Sequence, residues 1–307
     1  MSGPTSIEWC DRSWNPTTGC GEVSPGCAHC YAKTFAERWR GIPGHPYEQG
    51  FDLRPWPSRL SAPLRWQKPS RIFVNSMSDD LFFEDIPDEY IAAVFGVMAA
   101  ASWHTFQVLT KRPARMRAWF DWHRELARRV FTNAPAFIAV IAREHVPNLP
   151  AAGMFSQWPL QNVWLGVSIE NRRFVDRADE LRKVPAAVRF ISAEPLLGPL
   201  VYDAVSMFDR CVREWSDGNT AQCELDLAGI DWLIVGGESG PHARPLQLEW
   251  VRALAAAAVA ADTTLFVKQL GKCWARAARS RDAKGGNPGE WPAELRVRTF
   301  PSEAVAK

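Results

Sequence analysis

Val163-Trp-Leu-Gly-Val-Ser168-Ile-Glu170-Asn171 is a continuous apolar run that turns polar only at its carboxyl end. A strand with one wet face alternates apolar and polar side chains, whereas a short run that is apolar throughout reads as a strand covered on both faces. Such strands belong to parallel sheets layered with helices. Runs of the same kind recur at 71–75, 105–110, 188–192, 232–235 and 264–268, rich in Val, Ile, Leu, Phe and Trp. Residues 6–14 are expected to supply a further, first strand. Helical patterns fall between the runs, at 88–101 after Pro87, at 113–130, at 172–183 before Pro185, and at 248–261. The alternation predicts an α/β chain with six or seven parallel strands, either a partial (βα) barrel of the TIM type or a doubly wound sheet. Excursions are expected near 40–69, 131–160 and 201–229, with an irregular tail. Nothing along the chain reads as a linker, so 1–307 is expected to form a single domain.

The ends of these strands carry the polar residues. The run 71–74 is followed by Asn75, Ser76, Ser78 and Asp79, and the run 105–110 by Lys111 and Arg112. Later strands end in Ser168 and Glu170, in Ser192 and Glu194, in Gly236-Gly237-Glu238, and in Lys268. In parallel α/β folds the carboxyl ends of the strands deliver their side chains to one rim, and that rim carries the chemistry. Helix capping accounts for Ser76, Ser78 and Ser192. It accounts poorly for Lys111, Glu194, Glu238 and Lys268, because charges in such places need partners or a task.

The stretch Cys20-Gly-Glu-Val-Ser-Pro-Gly-Cys27-Ala-His-Cys30-Tyr31 sets three thiols on a loop that runs into a helical apolar pattern. Closed structural metal sites use four ligands, whereas three leave a position open for water, substrate or cofactor. The chain has seven cysteines and no basic segment followed by an apolar one at its start, which fits metal binding in a reducing, cytoplasmic compartment better than a disulfide framework. No apolar run reaches the roughly 18 residues of a membrane span. A net charge of +2 argues against a surface that grips nucleic acid everywhere, while leaving room for a local basic cleft. Two other readings of the residues stay open. In one, Cys10 or His29 completes a zinc site in a non-catalytic binding protein. In the other, the fifteen tryptophans and the arginines of 112–129 serve a metal-free nucleic-acid module. Most of the tryptophans lie in apolar patterns and read as core, and those arginines alternate with Asp121 and Glu125 as on a solvated helix face.

A three-cysteine loop after a first strand, together with a polar strand-end rim, resembles the radical S-adenosylmethionine (SAM) superfamily. The spacing here is C-x6-C-x2-C where C-x3-C-x2-C is usual, and Gly236-Gly237-Glu238 follows a late strand where that superfamily's Gly-Gly-Glu follows an early one. Over nearly the whole chain the sequence resembles the three-cysteine phage-type proteins, through Trp14-Asn-Pro-Thr-Thr-Gly-Cys20, Asn75-Ser-Met-Ser-Asp79, Leu109-Thr-Lys-Arg112, Gly166-Val-Ser-Ile-Glu170, Ser192-Ala-Glu-Pro-Leu196 and Gly236-Gly-Glu-Ser-Gly240. The resemblance implies a [4Fe-4S] cluster on Cys20, Cys27 and Cys30, with SAM on the remaining iron and an electron donor as partner. Candidate cofactor contacts are then Asn75, Ser76, Ser78, Asp79, Ser168, Glu170, Gly236, Gly237 and Glu238. Lys111, Arg112, His242, Arg244 and Lys268 are the candidates for an anionic substrate, Glu194 is a further candidate substrate contact, and phage company suggests a nucleic acid or nucleotide. No residue stands out as hydrogen donor; Cys10 and Cys273 are candidates for a later thiol step.

Overall fold

A computed structural model describes residues 3–78, 80–130, 133–150, 157–201 and 224–301. Asp79, Cys211 and Cys223 lie outside the described residues, as does most of the excursion at 201–229. The chain is mixed α/β, with a mostly parallel sheet of eight strands. In chain order the strands are β1 (Gly3–Pro4), β2 (Arg12–Trp14), β3 (Thr17–Thr18), β4 (Arg54–Pro55), β5 (Arg71–Val74), β6 (Thr105–Thr110), β7 (Val163–Ser168), β8 (Val188–Ala193), β9 (Trp232–Gly236) and β10 (Thr264–Gln269). Helices are α1 (Tyr31–Glu37), α2 (Asp88–Ala100), α3 (Pro113–Arg129), α4 (Ala134–His145), α5 (Arg177–Arg182), α6 (Leu248–Ala260) and α7 (Gly271–Ala277).

The sheet order is β1-β2-β5-β6-β7-β8-β9-β10, while β3 and β4 form a separate antiparallel pair. β1 is antiparallel to β2. The pairs β2/β5, β5/β6, β8/β9 and β9/β10 are parallel. Among the described residues β1 and β10 do not pair, so no closed barrel is seen.

Two compact units are distinguished, each assembled from several chain segments, which is why no linker marks them. The first holds residues 1–23, 30–166 and 183–188; the second holds 24–29, 167–182 and 189–307. In the first unit α2 is buried almost end to end, from Tyr90 to Ala100, and its apolar composition on every side follows from that. The expected excursion at 131–160 needs correction, because it contains α4, a helix of the core. Asn133 starts α4 by accepting a hydrogen bond from the Ala136 amide at 2.7 Å, and Ile138, Ala139, Ile141 and Ala142 are buried. α3 is amphipathic, burying Met116, Trp119, Phe120, His123 and Ala127 at helical spacing. Its outward arginines are paired, Arg124 with Asp121 and both Arg128 and Arg129 with Glu125.

In the second unit β9 is wholly buried. The helix expected over 172–183 is a short turn (Arg172–Phe174) followed by α5, because the Asn171 side chain accepts from the Arg173 amide at 3.0 Å and tightens the first turn. The tail is irregular yet fixed: Trp291 is buried and donates to the Gly285 carbonyl at 2.9 Å. Trp9, Trp14, Trp119, Trp232 and Trp291 are among the largest fully buried side chains, in keeping with tryptophan as core. Among the described residues no helix is long and apolar enough to cross a membrane.

Candidate functional site

In the first unit the site is built from the residues that follow β2, β5 and β6. Asn15, wholly buried, accepts from the Met77 amide at 2.8 Å and donates to Ser76 Oγ at 3.2 Å. Thr17 Oγ1 lies 3.3 Å from Ser78 Oγ, and the Tyr31 hydroxyl donates to the Ser76 carbonyl. The segment after β5 is thereby tied to the chain leading into Cys20 and to the residue that follows Cys30. Cys20, Cys30 and Met77 pack around an apolar cup of Ala32, Ala36, Tyr47 and Phe51. Arg112, buried at the end of β6, points a guanidinium N–H at Cys20 Sγ (3.9 Å), donates to the Gly21 carbonyl (3.1 Å) and covers the Phe83 ring. It braces the cysteine loop, a use that a substrate-binding role did not anticipate. Lys111 follows β6 half-buried.

Among the described residues, two polar groups here are unsatisfied. Asn75 sits at φ 62°, a left-handed conformation that Asn tolerates better than most residues, and both its amide nitrogen and its amide oxygen are buried without a partner. The Tyr47 hydroxyl in the cup is also buried and unpartnered, and burial pushes its ionisation above the ordinary value. Buried polar atoms left unpaired are costly and call for an explanation. Asn15 and Tyr47 were missed in the sequence: Asn15 reads as a turn residue before Pro16, and Tyr47 lies in an irregular stretch with no periodicity to mark it.

In the second unit the segment 24–29, which carries Cys27, is held at two points. Ser24 donates to Glu170 Oε1 at 2.6 Å, and Glu170, wholly buried, pairs through Oε2 with Arg177 at 3.0 Å. Arg177 also donates to the Ser168 carbonyl at 2.7 Å. Gly26 passes so close that a Cβ there would stand 2.5 Å from Glu170 Oε1. At the other point Glu238 accepts from the Arg244 guanidinium and amide, and it lies 3.3 Å from His29 Nδ1. Arg244 in turn donates to the Pro25 carbonyl at 3.0 Å. Burial pushes the Glu238 carboxyl up, but the hydrogen bonds from Arg244 and His29 outweigh it and hold the group below its ordinary range. The same contact with Glu238 raises Arg244. His242 is exposed, its ring centre 6.1 Å from that of His29.

Glu194 pairs with Lys268 at 3.1 Å and accepts from Ser192 at 3.3 Å. Side chains at Gly236 and Gly237 would collide with the Glu194 carboxylate and the Leu270 carbonyl respectively, so close packing alone accounts for this glycine pair. Ser24 and Arg177 carry no signal in the sequence beyond being polar.

Among the described residues the thiols of Cys20, Cys27 and Cys30 are partly buried and form no disulfide. Among the described residues no three His, Cys, Asp or Glu side chains form a ready cage for one ion. The donor chemistry nevertheless suits a thiolate-held cluster, since the two thiols of the first unit border an apolar cup with a cation beside one of them. The residues considered for completing a zinc site are engaged elsewhere. Cys10 is buried ahead of β2, the end opposite Cys20, and His29 faces Glu238. Cys273 donates to the Ala243 carbonyl at 3.0 Å.

No curated protein and no solved structure matches the chain significantly. One family model does, over residues 4–291, and its description is a protein of unknown function, DUF5131. The chain belongs to that family.

Proposed function

We propose that this member of the DUF5131 family is an iron-sulfur enzyme of the radical SAM type, built on an open, partial (βα) barrel and acting on a nucleic-acid or nucleotide substrate. The observation that carries the reading most is the apolar cup: Cys20 and Cys30 border it, and Met77 ties it to the end of β5. Cys20, Cys27 and Cys30 would hold the cluster. When bound and reduced by an electron donor, such a cluster would supply one-electron chemistry to SAM.

The chain's own residues supply position and an apolar flank. Arg112 fixes the Cys20 turn and complements negative charge on its sulfur. Ala32, Ala36, Tyr47 and Phe51 give Cys20 and Cys30 an apolar side. The Ser24–Glu170–Arg177 and His29–Glu238–Arg244 contacts set the backbone on both sides of Cys27. Asn75 offers a buried donor and acceptor suited to the amino and carboxylate groups of SAM. Ser168, by contrast, has its carbonyl taken by Arg177, and Lys268 has its charge met by Glu194.

The test is SAM turnover. Protein purified without oxygen and reduced with dithionite is expected to release 5′-deoxyadenosine from SAM, and Cys27→Ala is expected to release none. Bound zinc without iron, and no release from the unaltered protein, would return the chain to the non-catalytic, zinc-binding alternative.

A further inference from the structure

The stretch between the cysteine loop and β5 holds a concentration of positive charge with few carboxylates beside it among the described residues. From residue 53 to residue 78 the sequence contains Arg54, Arg59, Arg65, Lys68 and Arg71 and neither Asp nor Glu. Arg71 pairs with Asp11. The other four have no carboxylate at ion-pair distance among the described residues. Arg54 donates to Gln49 Oε1 at 3.3 Å, Arg59 to the Asn15 carbonyl at 3.5 Å and Arg65 to Ser61 Oγ at 2.8 Å. Arg12 is in the same position, resting its guanidinium 5.0 Å from the centre of the Trp66 ring. α3 provides the contrast, since its outward Arg124, Arg128 and Arg129 all have acidic partners. On α3 arginine is a solvated face balanced by design; here it is left unbalanced.

These cations follow one line. β4 pairs Arg54 with Thr18, the Trp56 amide donates to the Pro16 carbonyl at 2.7 Å, Trp14 donates to the Arg59 carbonyl at 2.9 Å, and Trp66 meets Arg12. Residues 54–66 therefore run antiparallel alongside 18–12, and the charges are strung out along that line. Two of them are held together against their own repulsion: the guanidinium carbons of Arg54 and Arg59 lie 4.1 and 3.9 Å from the centre of the Trp56 ring. Burial lowers the Arg59 pKa, and neighbouring Arg54 lowers it further. Trp103, anchored by its indole N–H to the Trp66 carbonyl at 2.7 Å, is 39% exposed at the far end of the line. An extended row of cations with flat aromatic surfaces among them matches an extended polyanion whose bases can stack.

We infer that the line formed by Arg54, Arg59, Arg65, Lys68 and Trp103 binds single-stranded nucleic acid, with phosphates on the cations and a base on the open face of Trp103. This rests on the proposed substrate class and gives it a strand state and a surface; it does not depend on the cluster. Phosphate contacts carry no base information, so binding through this row of cations is expected to be governed by salt and largely indifferent to sequence.

The test is fluorescence anisotropy of the full chain with a labelled single strand of about twelve nucleotides, a length within the usual range for such grooves. The expected result is binding whose logarithm falls with log salt at about −0.7 per phosphate contact, hence a slope of about −2 to −3. The double reversal Arg54→Glu/Arg65→Glu is expected to weaken binding about tenfold or more and to make the slope shallower by about 1.4. Both side chains are exposed, and Arg54→Gln/Arg65→Gln, expected to weaken binding in the same direction, covers the case in which the reversal fails to fold. The same reversal on α3, Arg124→Glu/Arg128→Glu, is expected to leave affinity unchanged. Unaltered binding in the Arg54/Arg65 variants, an equal loss in the α3 variant, or tighter binding of the matching duplex would overturn the inference. Cys27→Ala separates this inference from the iron-sulfur reading, since it is expected to keep full affinity; loss of binding in that variant would also overturn the inference.

Discussion

At the scale of single residues, the segment around Cys27 is governed by two carboxylates, Glu170 wholly buried and Glu238 half-buried. Glu170 has its charge met by Arg177 and a further acceptor site filled by Ser24, as a buried carboxylate requires. Glu238 differs in being coupled to pH. Its carboxyl is held below the ordinary value of 4.5 in the folded protein, so the unfolded chain takes up its proton first as pH falls. The stabilisation it gives is complete above about pH 4.5 and disappears as pH drops through the folded-state value. Glu238→Gln is therefore expected to lower the melting temperature at pH 7 and to narrow the gap from the unaltered protein as pH falls below 4.5. Thermal unfolding followed from pH 7 to pH 3 measures this, and a gap of constant size would show that the charge of Glu238 is not what matters. Neither role was readable in the sequence. Glu170 and Glu238 were both conspicuous as charges at strand ends, but a strand-end carboxylate that waits for a ligand looks the same in one dimension as one already occupied by its own chain.

At the scale of elements, the six strands from β5 to β10 were legible to within a residue or so, whereas the first strand expected over 6–14 is only Arg12–Trp14 and the two-residue strands β1, β3 and β4 were not foreseen. Thr105–Thr110 and Val163–Ser168 begin and end where their apolar runs do. Burial on both faces leaves few polar positions to blur the pattern, which is why these strands stand out. α4 was hidden for the opposite reason, because its Ala- and Pro-rich start resembles a loop and only the contact with α2 makes it a helix of the core. That contact is close: a Cβ on Gly96 would stand 2.5 Å from Ala142 Cβ and 2.6 Å from the Ile138 carbonyl oxygen. Gly96→Ala would gain about 1 kcal/mol in helix propensity but lose about 1–3 kcal/mol to overpacking, so a net destabilisation of about 1 kcal/mol is expected. Urea unfolding measures it, and Ala142→Gly in the same chain should recover part of the loss. A stabilised Gly96→Ala protein would mean that α2 and α4 can move apart at little cost.

At the scale of the whole molecule, the mostly parallel sheet places the residues of interest after strand carboxyl ends in each unit, as the sequence led one to expect. What the sequence could not convey is how many of those residues are already engaged. Arg112, Glu170, Glu238 and Arg244 brace the cysteine loop, and Glu194 and Lys268 answer each other. Among the described residues, the Asn75 amide at the end of β5 and the Tyr47 hydroxyl in the cup beside Cys20 and Cys30 are buried and unpartnered. Most of the polar rim is thus scaffold, and the account rests on the three thiols it supports. Iron and acid-labile sulfide in protein purified without oxygen test this most directly, compared with Cys20→Ala, Cys27→Ala and Cys30→Ala prepared in the same way. About four irons and four sulfides per chain, lost or nearly lost in each variant, is the expected result. An iron-free protein, or iron retained in full by all three variants, would contradict it.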